Sequence, residues 1–295
     1  MHDHSHHHHH HDGASGRIAT AFALNLAFTL IEFIGGVLTN STAILADAVH
    51  DLGDTLAIAL GWLLQRLGGR PASRHFTYGY QRLSLLGALI NALILLAGSA
   101  WVLSEAIPRL QDPPMPHAAG MTGLAVLGVL VNGVAAWKLS GGQTLNEKVL
   151  NWHLLEDVLG WVAVLIVSIV LQFAHWPILD PLLSIVFTLF ILINVLRNLG
   201  TTLRLFLQAT PDVEMNQDIL QRLSTLPHVT EVHHLHLWSL DGEHHVLTAH
   251  LVLDIPIDSA AHERIKQSIR DACEGCDISH TTIELEQLDE QCRDR

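Results

Sequence analysis

Between Asn40 and Trp62 the chain reads NSTAILADAVHDLGDTLAIALGW, an apolar stretch that nonetheless carries Asp47, His50, Asp51 and Asp54. It is long enough to form part of a bilayer-crossing helix. Ionisable groups at membrane depth are costly, so they mark function by default. His50 and Asp54 are four residues apart and share one helix face with Asp47, whereas Asp51 lies about 100° round. A second apolar stretch, Val149 to Phe173, repeats the device in NWHLLEDVLGW: His153 and Asp157 are four apart, with Glu156 beside them. Two helices that each offer an imidazole and a carboxylate can close a four-ligand tetrahedral site, the geometry a zinc-like ion prefers. The plainer alternative is a pair of interhelical hydrogen bonds, and four ionisable groups paired by spacing argue against it. Asp47 and Glu156 suit the role of carboxylates behind the ligands, because a ligating imidazole usually gives its other N–H to one.

The rest of the chain supports a membrane setting. Of the 295 residues, 49% are hydrophobic and 15% charged, against about a quarter charged in soluble domains. Six apolar stretches of membrane length fall near 17–39, 42–65, 82–107, 118–139, 149–174 and 178–205. Arg17, Arg66, Arg70, Arg74, Arg82, Lys138, Lys148, Arg197 and Arg204 fall on one side of these spans, and Arg109 on the other. Positive residues stay inside, so both termini are predicted to be cytoplasmic. Short loops suggest a bacterial inner membrane. In the first span, Asn25 and Glu32 sit seven apart on one face. Glu32 suits either a proton or cation route or a hydrogen bond to a neighbouring helix. Ahead of the first span lies HDHSHHHHHHD; His2, Asp3 and His4 beyond the six-histidine run favour a metal-gathering tail over an expression tag.

Past Pro211 the composition changes. Residues 213–227 read as an amphipathic helix with Ile219, Leu220, Leu223 and Leu226 on one side. Two alternating runs, Glu231–Leu240 and His245–Ile255, flank an Asp241-Gly242 turn, a hairpin signal. A helix over 259–273 and a strand over 279–287 follow. Alternation turns Leu247, Ala249, Leu251 and Leu253 inward, and His250, Glu284 and Glu286 outward. The same parity puts His233 on the side of Leu235 and Leu237, toward the core unless it lies at a strand edge. His234, His236, His244 and His245 read as a solvated face. Cys273 and Cys276 form a lone CxxC, weak evidence for a metal, and with Cys292 they read as reduced thiols. Most of the acid behind the net charge of -13 lies after residue 210. This argues against a nucleic-acid partner and suits cations.

Taken together, the two HxxxD units, the segments LADAVHDLGD and FTYGYQRL, ATPD at the domain junction and VHHLHLWSL in the first strand resemble the cation diffusion facilitators. The likeness covers nearly everything after residue 16. It implies a homodimeric exporter of divalent metal driven by proton exchange, with His50, Asp54, His153 and Asp157 as transport ligands. Two histidines and two aspartates there imply zinc. It also implies a charge pair between Arg82 and Asp212. Cytosolic metal ligands are implied at His233 and His250, with Glu284, Glu286 and His262 at further family positions; the loop after the second helix offers only His75.

The expected architecture is an α-helical membrane protein: a His-rich tail (1–16), six transmembrane helices (17–208) and a small α+β, ferredoxin-like α-β-β-α-β cytosolic domain (209–295). The expected function is proton-coupled antiport of zinc, with cadmium and cobalt as further candidates, out of the cytoplasm through the inner membrane. Zn2+ is then the cargo and an ion for the cytosolic domain. The rivals are a membrane-bound zinc sensor without transport, a passive channel, and an intramembrane metalloenzyme. The enzyme would need an open coordination position and a base; there is no HExxH, and only Glu156 stands near.

Overall fold

The computed structural model describes residues 11–140, 145–256 and 258–292. The histidine tract at 2–10 lies outside them. Six long helices come first: α1 (His11–Thr39), α2 (Thr42–Gly68), α3 (Leu83–Ala106), α4 (Ala118–Leu139), α5 (Leu145–Phe173) and α6 (Leu179–Phe206). All but α2 are long and apolar enough to cross a membrane by composition alone. At 27 residues α2 is equally long, and Asp47, His50, Asp51 and Asp54 set its composition apart. Large side chains such as Val186, Phe190 and Ile193 of α6 are exposed, as a lipid-facing surface requires. Then come α7 (Val213–Ser224), β1 (Val229–Ser239), β2 (His245–Leu253), α8 (Ser259–Ala272) and β3 (Ile278–Gln287). The fold is therefore six membrane-length helices followed by α-β-β-α-β. Contacts divide it into two compact units, Met1–Leu63 with Ile90–Leu199 and Leu64–Leu89 with Gly200–Arg295.

In the helical unit, the α1–α2 junction fixes where α2 begins. Asn40 adopts a left-handed φ of 54°. Ser41 N bonds Gly36 O at 3.0 Å and Asn40 N bonds Val37 O at 3.2 Å, the bond pair of a Schellman ending with Asn in place of Gly. The exposed N–H groups of α2 then need acceptors. Asp180, at the start of α6, supplies them: its carboxylate accepts from Thr42 N (2.7 Å), Ala43 N (3.3 Å), Thr42 Oγ1 (2.8 Å) and Ser41 Oγ (2.5 Å). Ser41 Oγ accepts from Ile44 N at 3.2 Å. Ser184, one turn further along α6, donates to Thr42 O at 2.9 Å. Buried Asp180 thus locks α2 to α6 while placing negative charge at a helix N-terminus, where it is favoured.

On α5 the positions His153, Asp157, Trp161, Val164, Ser168 and Leu171 recur at helical spacing on one face, and the last four are buried. Trp161 packs over Gly128 of α4, where a side-chain carbon would collide with the indole. It also meets Phe28 of α1 edge-on at 5.9 Å between centroids. Thr122 of α4 donates to Ser168 at 2.9 Å. These contacts set the rotation of α5, and so where His153 and Asp157 point.

In the second unit, β1 and β2 pair antiparallel, β2 and β3 parallel, in the order β1-β2-β3. The core joins Ile219 and Leu223 of α7, Leu237 of β1, Leu247, Ala249, Leu251 and Leu253 of β2, Ile265 and Ile269 of α8, and Cys276. Burying a side chain of Leu or Ile size stabilises by roughly 1.5–3 kcal/mol. Leu220, read from the sequence as part of the α7 apolar side, is exposed instead. Its position is a quarter-turn from Ile219, off the packed stripe.

Replacing Asp180 by Ala leaves four buried donors at the head of α2 without a charged acceptor. Since hydrogen bonds to charged groups are worth about 1.5–3 kcal/mol each, Asp180→Ala is expected to lower the melting temperature of the detergent-solubilised protein markedly, and Asp180→Asn by less. Equal melting of Asp180→Ala and wild type would contradict the clamp.

Candidate metal sites

The four residues paired by spacing converge. His153 Nε2 lies 2.9 Å from Asp54 Oδ2. His50 Nε2 lies 3.9 Å from both Asp54 Oδ2 and Asp157 Oδ1, and His153 Nε2 lies 3.9 Å from Asp157 Oδ2. The two imidazoles face each other edge-on with centroids 5.7 Å apart. Ligand atoms of His50, Asp54 and His153 all fall within 4.8 Å of one another, and Asp157 completes the ring. Asp157 is the most enclosed, with 11% of its side chain exposed against 29–33% for the other three. Two nitrogens and two carboxylate oxygens from facing helices suit one tetrahedral divalent ion.

The residues expected behind these ligands divide. Glu156 is exposed and turned away from the cluster, because adjacent positions on a helix are about 100° apart. Asp47 is buried, but it makes no hydrogen bond to either imidazole among the described residues, and its Oδ2 has no partner. Its neighbour is Glu32, fully buried, sharing a hydrogen bond with the Asp51 carboxyl and lying near Asp47 and Asp157. Asn25 fixes this side of α2 by donating to Thr55 Oγ1 at 2.9 Å and Asp51 O at 3.4 Å. A buried patch of carboxyls, Glu32, Asp47 and Asp51, therefore adjoins the four-ligand cluster. Asp51 had no assigned role in the sequence reading because its angle on α2 set it off the ligand face.

The second cluster depends on an irregularity that strand alternation cannot express. In β1 the pairing slips between His233 and His236, and His234 takes a left-handed φ of 48°. The inserted residue is a β-bulge. It reverses the parity of the residues just before it, so His233 pairs His250 and shares its outward face, while Leu235 and Leu237 keep to the core side. The expectation that His233 sides with Leu235 and Leu237 is thus corrected by one bulged residue. His233 Nε2 lies 3.1 Å from Glu286 Oε2, and His250 Nδ1 lies 2.7 Å from Glu286 Oε1. Burial pushes the Glu286 carboxyl up, but hydrogen bonds from His250 and Cys292 outweigh it and hold the group below the usual carboxylate range. Ligand atoms of His233, His250, Glu286 and Cys292 all lie within 4.8 Å of one another.

Other expected residues stand apart. Glu284 flanks the cluster, with Oε2 3.7 Å from His250 Nε2. His262 sits on α8, which packs on the opposite face of the sheet, so one chain does not bring it to His250. Asp212 caps α7, accepting from Glu214 N at 2.7 Å and Met215 N at 3.2 Å; no ion pair to Arg82 is found among the described residues. Of the histidines read as a solvated face, His236 and His244 are exposed, but His245 is buried at the mouth of the hairpin and His234 is half-buried, 5.2 Å from His250 between centroids.

Residues 18–207 match the family model for the cation efflux transmembrane domain, and residues 211–288 the one for the cation efflux protein cytoplasmic domain. The chain belongs to the cation efflux family. It is 34% identical to the zinc transporter ZitB of Pectobacterium atrosepticum over 97% of this chain and 88% of that protein. It is 33% identical to the metal cation efflux system protein CzcD of Cupriavidus metallidurans over 97% and 89%. It is 31% identical to the cadmium, cobalt and zinc/H(+)-K(+) antiporter of Bacillus subtilis over 93% and 90%. The family is one of membrane transporters for metal cations, so the protein is not an enzyme and the intramembrane metalloenzyme is excluded.

A left-handed backbone costs a side-chain-bearing residue roughly 1–2 kcal/mol. His234→Gly is therefore expected to raise the thermal stability of the metal-free protein slightly, and His234→Val, with its branched Cβ, to lower it. The opposite order in melting temperature would show that the bulge does not persist in solution.

Proposed function

We propose that this protein exports zinc from the cytoplasm in exchange for protons, by alternating access around His50, Asp54, His153 and Asp157. The observation that carries the reading is the convergence of the two helical pairs at membrane depth, with Nε2 of His153 and Oδ2 of Asp54 in hydrogen-bond range across α5 and α2. Two carboxylates and two neutral imidazoles cancel the charge of one divalent cation, which lowers the cost of carrying it through hydrocarbon. Ligands must shed protons to bind metal, so metal and protons compete for the same atoms. Imidazole titrates near neutral pH. Protons arriving from outside displace the ion, and the less acidic cytosol reloads the site.

The carboxyls of Glu32, Asp47 and Asp51 give this exchange a place for counter-charge. Uncompensated carboxylates this deep are costly, so protons or a cation occupy the patch whenever the ligands next to it are unloaded. Cadmium and cobalt are further substrates of the same donor set, as the printed names of relatives suggest for those proteins. The relatives are bacterial, the setting proposed is the plasma membrane with both termini in the cytoplasm, and the assembly is a homodimer through the cytosolic domain. That domain's His–Glu cluster supports an additional role in sensing cytosolic metal.

Zinc flux in reconstituted vesicles carrying an internal pH-sensitive dye tests the reading. Wild type is expected to move zinc and protons in opposite directions. Asp157→Ala is expected to abolish both while keeping the wild-type elution volume and melting temperature. Flux that ignores the pH gradient would overturn the proton coupling, and flux retained by Asp157→Ala would overturn the site. His50→Asp is expected to weaken discrimination between zinc and other divalent ions; unchanged selectivity in competition assays would count against His50 as a ligand.

A further inference from the structure

We propose that the Cys292 thiolate is the fourth ligand of the cytosolic cluster, making it a His2–Glu–Cys site, closed within one chain, for soft divalent ions such as zinc and cadmium. Neither the two HxxxD units nor the transport reading enters this inference.

The chain turns back after β3 to deliver the thiol. Glu290 N bonds Gln287 O at 3.0 Å, and Gln287 N donates to Glu290 Oε2 at 3.1 Å. Beyond this turn Cys292 Sγ lies 3.4 Å from His250 Nδ1. Bond lengths of about 2.0–2.3 Å in a tetrahedral zinc site put neighbouring ligand atoms roughly 3.3–3.8 Å apart. The separations here, 3.4 Å for sulfur to His250, 3.1 Å for His233 to Glu286 and 2.7 Å for His250 to Glu286, need only slight expansion to admit an ion.

The histidines are prepared for it. His233 Nε2 is buried and, despite its nearness to Glu286, has no hydrogen-bond partner. It is an orphaned donor atom at the centre of the cluster, which a metal would satisfy. On the far side of each ring stands another carboxylate. Glu231 Oε1 lies 3.6 Å from His233 Nδ1, and Glu284 Oε2 lies 3.7 Å from His250 Nε2. With a metal on the inner nitrogens, the outer N–H groups would face these carboxylates, the arrangement usual for ligating imidazoles.

The donor set also decides the ion. Thiolate with imidazole selects zinc-like ions over magnesium, calcium or manganese, which favour oxygen. One thiolate and one carboxylate neutralise a divalent charge in a place where His250 and Glu286 are almost wholly enclosed. The other two cysteines do not compete. Cys276 is packed in the hydrophobic core, and burial, with Cys276 adjacent, pushes the Cys273 thiol up, away from the thiolate.

The test is cadmium titration of the purified, metal-free full-length protein, read by the ultraviolet thiolate-to-cadmium charge-transfer band. The intramembrane cluster and the histidine tract contain no sulfur and are silent in this readout, so its result is separable from that of any transport assay. Wild type and Cys273→Ala/Cys276→Ala are expected to give a band saturating at one cadmium per chain, displaced by zinc. Cys292→Ser is expected to lose the band and bind cadmium at this site more than about tenfold more weakly. Saturating cadmium is expected to protect Cys292 of the double variant from maleimide. A band that survives in Cys292→Ser, or unprotected alkylation of Cys292 in saturating cadmium, would overturn the assignment.

Discussion

Everything in the membrane unit answers to one constraint: a charge withdrawn from water must be matched locally. Asp180 meets it with four donors from Ser41, Thr42 and Ala43. Because two of those donors are free N–H groups of α2, compensating the carboxylate also fixes the start of the helix that carries His50 and Asp54. Asp54 meets it with His153 across the helix pair. Among the described residues Glu32 has no donor but the neighbouring Asp51 carboxyl, and Oδ2 of Asp47 has no partner; both lie beside the four converging side chains. The helical unit thus separates a carboxylate satisfied by donors of the fold from carboxyls buried against one another.

The two metal clusters use the same chemistry with different means of placement. In the membrane, helical periodicity alone pairs imidazole with carboxylate at four-residue spacing, and the rotation of α5, held by Trp161 over Gly128, aims the pair. In the cytosolic domain, no single element carries a complete pair. His233 comes from β1 by way of a bulge, His250 from β2, Glu286 from β3 and Cys292 from the return beyond it. Backbone hydrogen bonds of the sheet hold the first three rigidly, while the thiol arrives on a segment held by a single turn.

How much was legible in the sequence follows from the range of the forces involved. Helix spans were readable to within a few residues because apolar runs of membrane length admit little else, and the HxxxD spacing is a one-helix property. The inward residues Leu247, Ala249, Leu251 and Leu253 followed from period-two alternation. What escaped was set by contacts distant in sequence or by local breaks in period. His234 carries only the weak left-handed preference of a histidine, so parity misplaced His233. Asp180 drew no reading from the sequence, because its donors from Thr42 lie 138 residues away on α2. The proximity of Glu32 to Asp47 and Asp51, the enclosure of His245 and the return of Cys292 depend on packing between elements. No pattern within one element reports these.

The central claim is that α2 and α5 ligate one ion together. A double-mutant cycle on equilibrium zinc affinity, comparing Asp54→Asn, His153→Ala and the double variant in protein whose cytosolic ligands His250 and Glu286 are replaced by Ala and Gln, tests it most directly. Residues sharing one ion are coupled, so the second substitution is expected to cost far less once the first is present, with an interaction of about 0.5–3 kcal/mol. Losses that simply add would mean that the two helices bind metal independently, and would contradict a shared site.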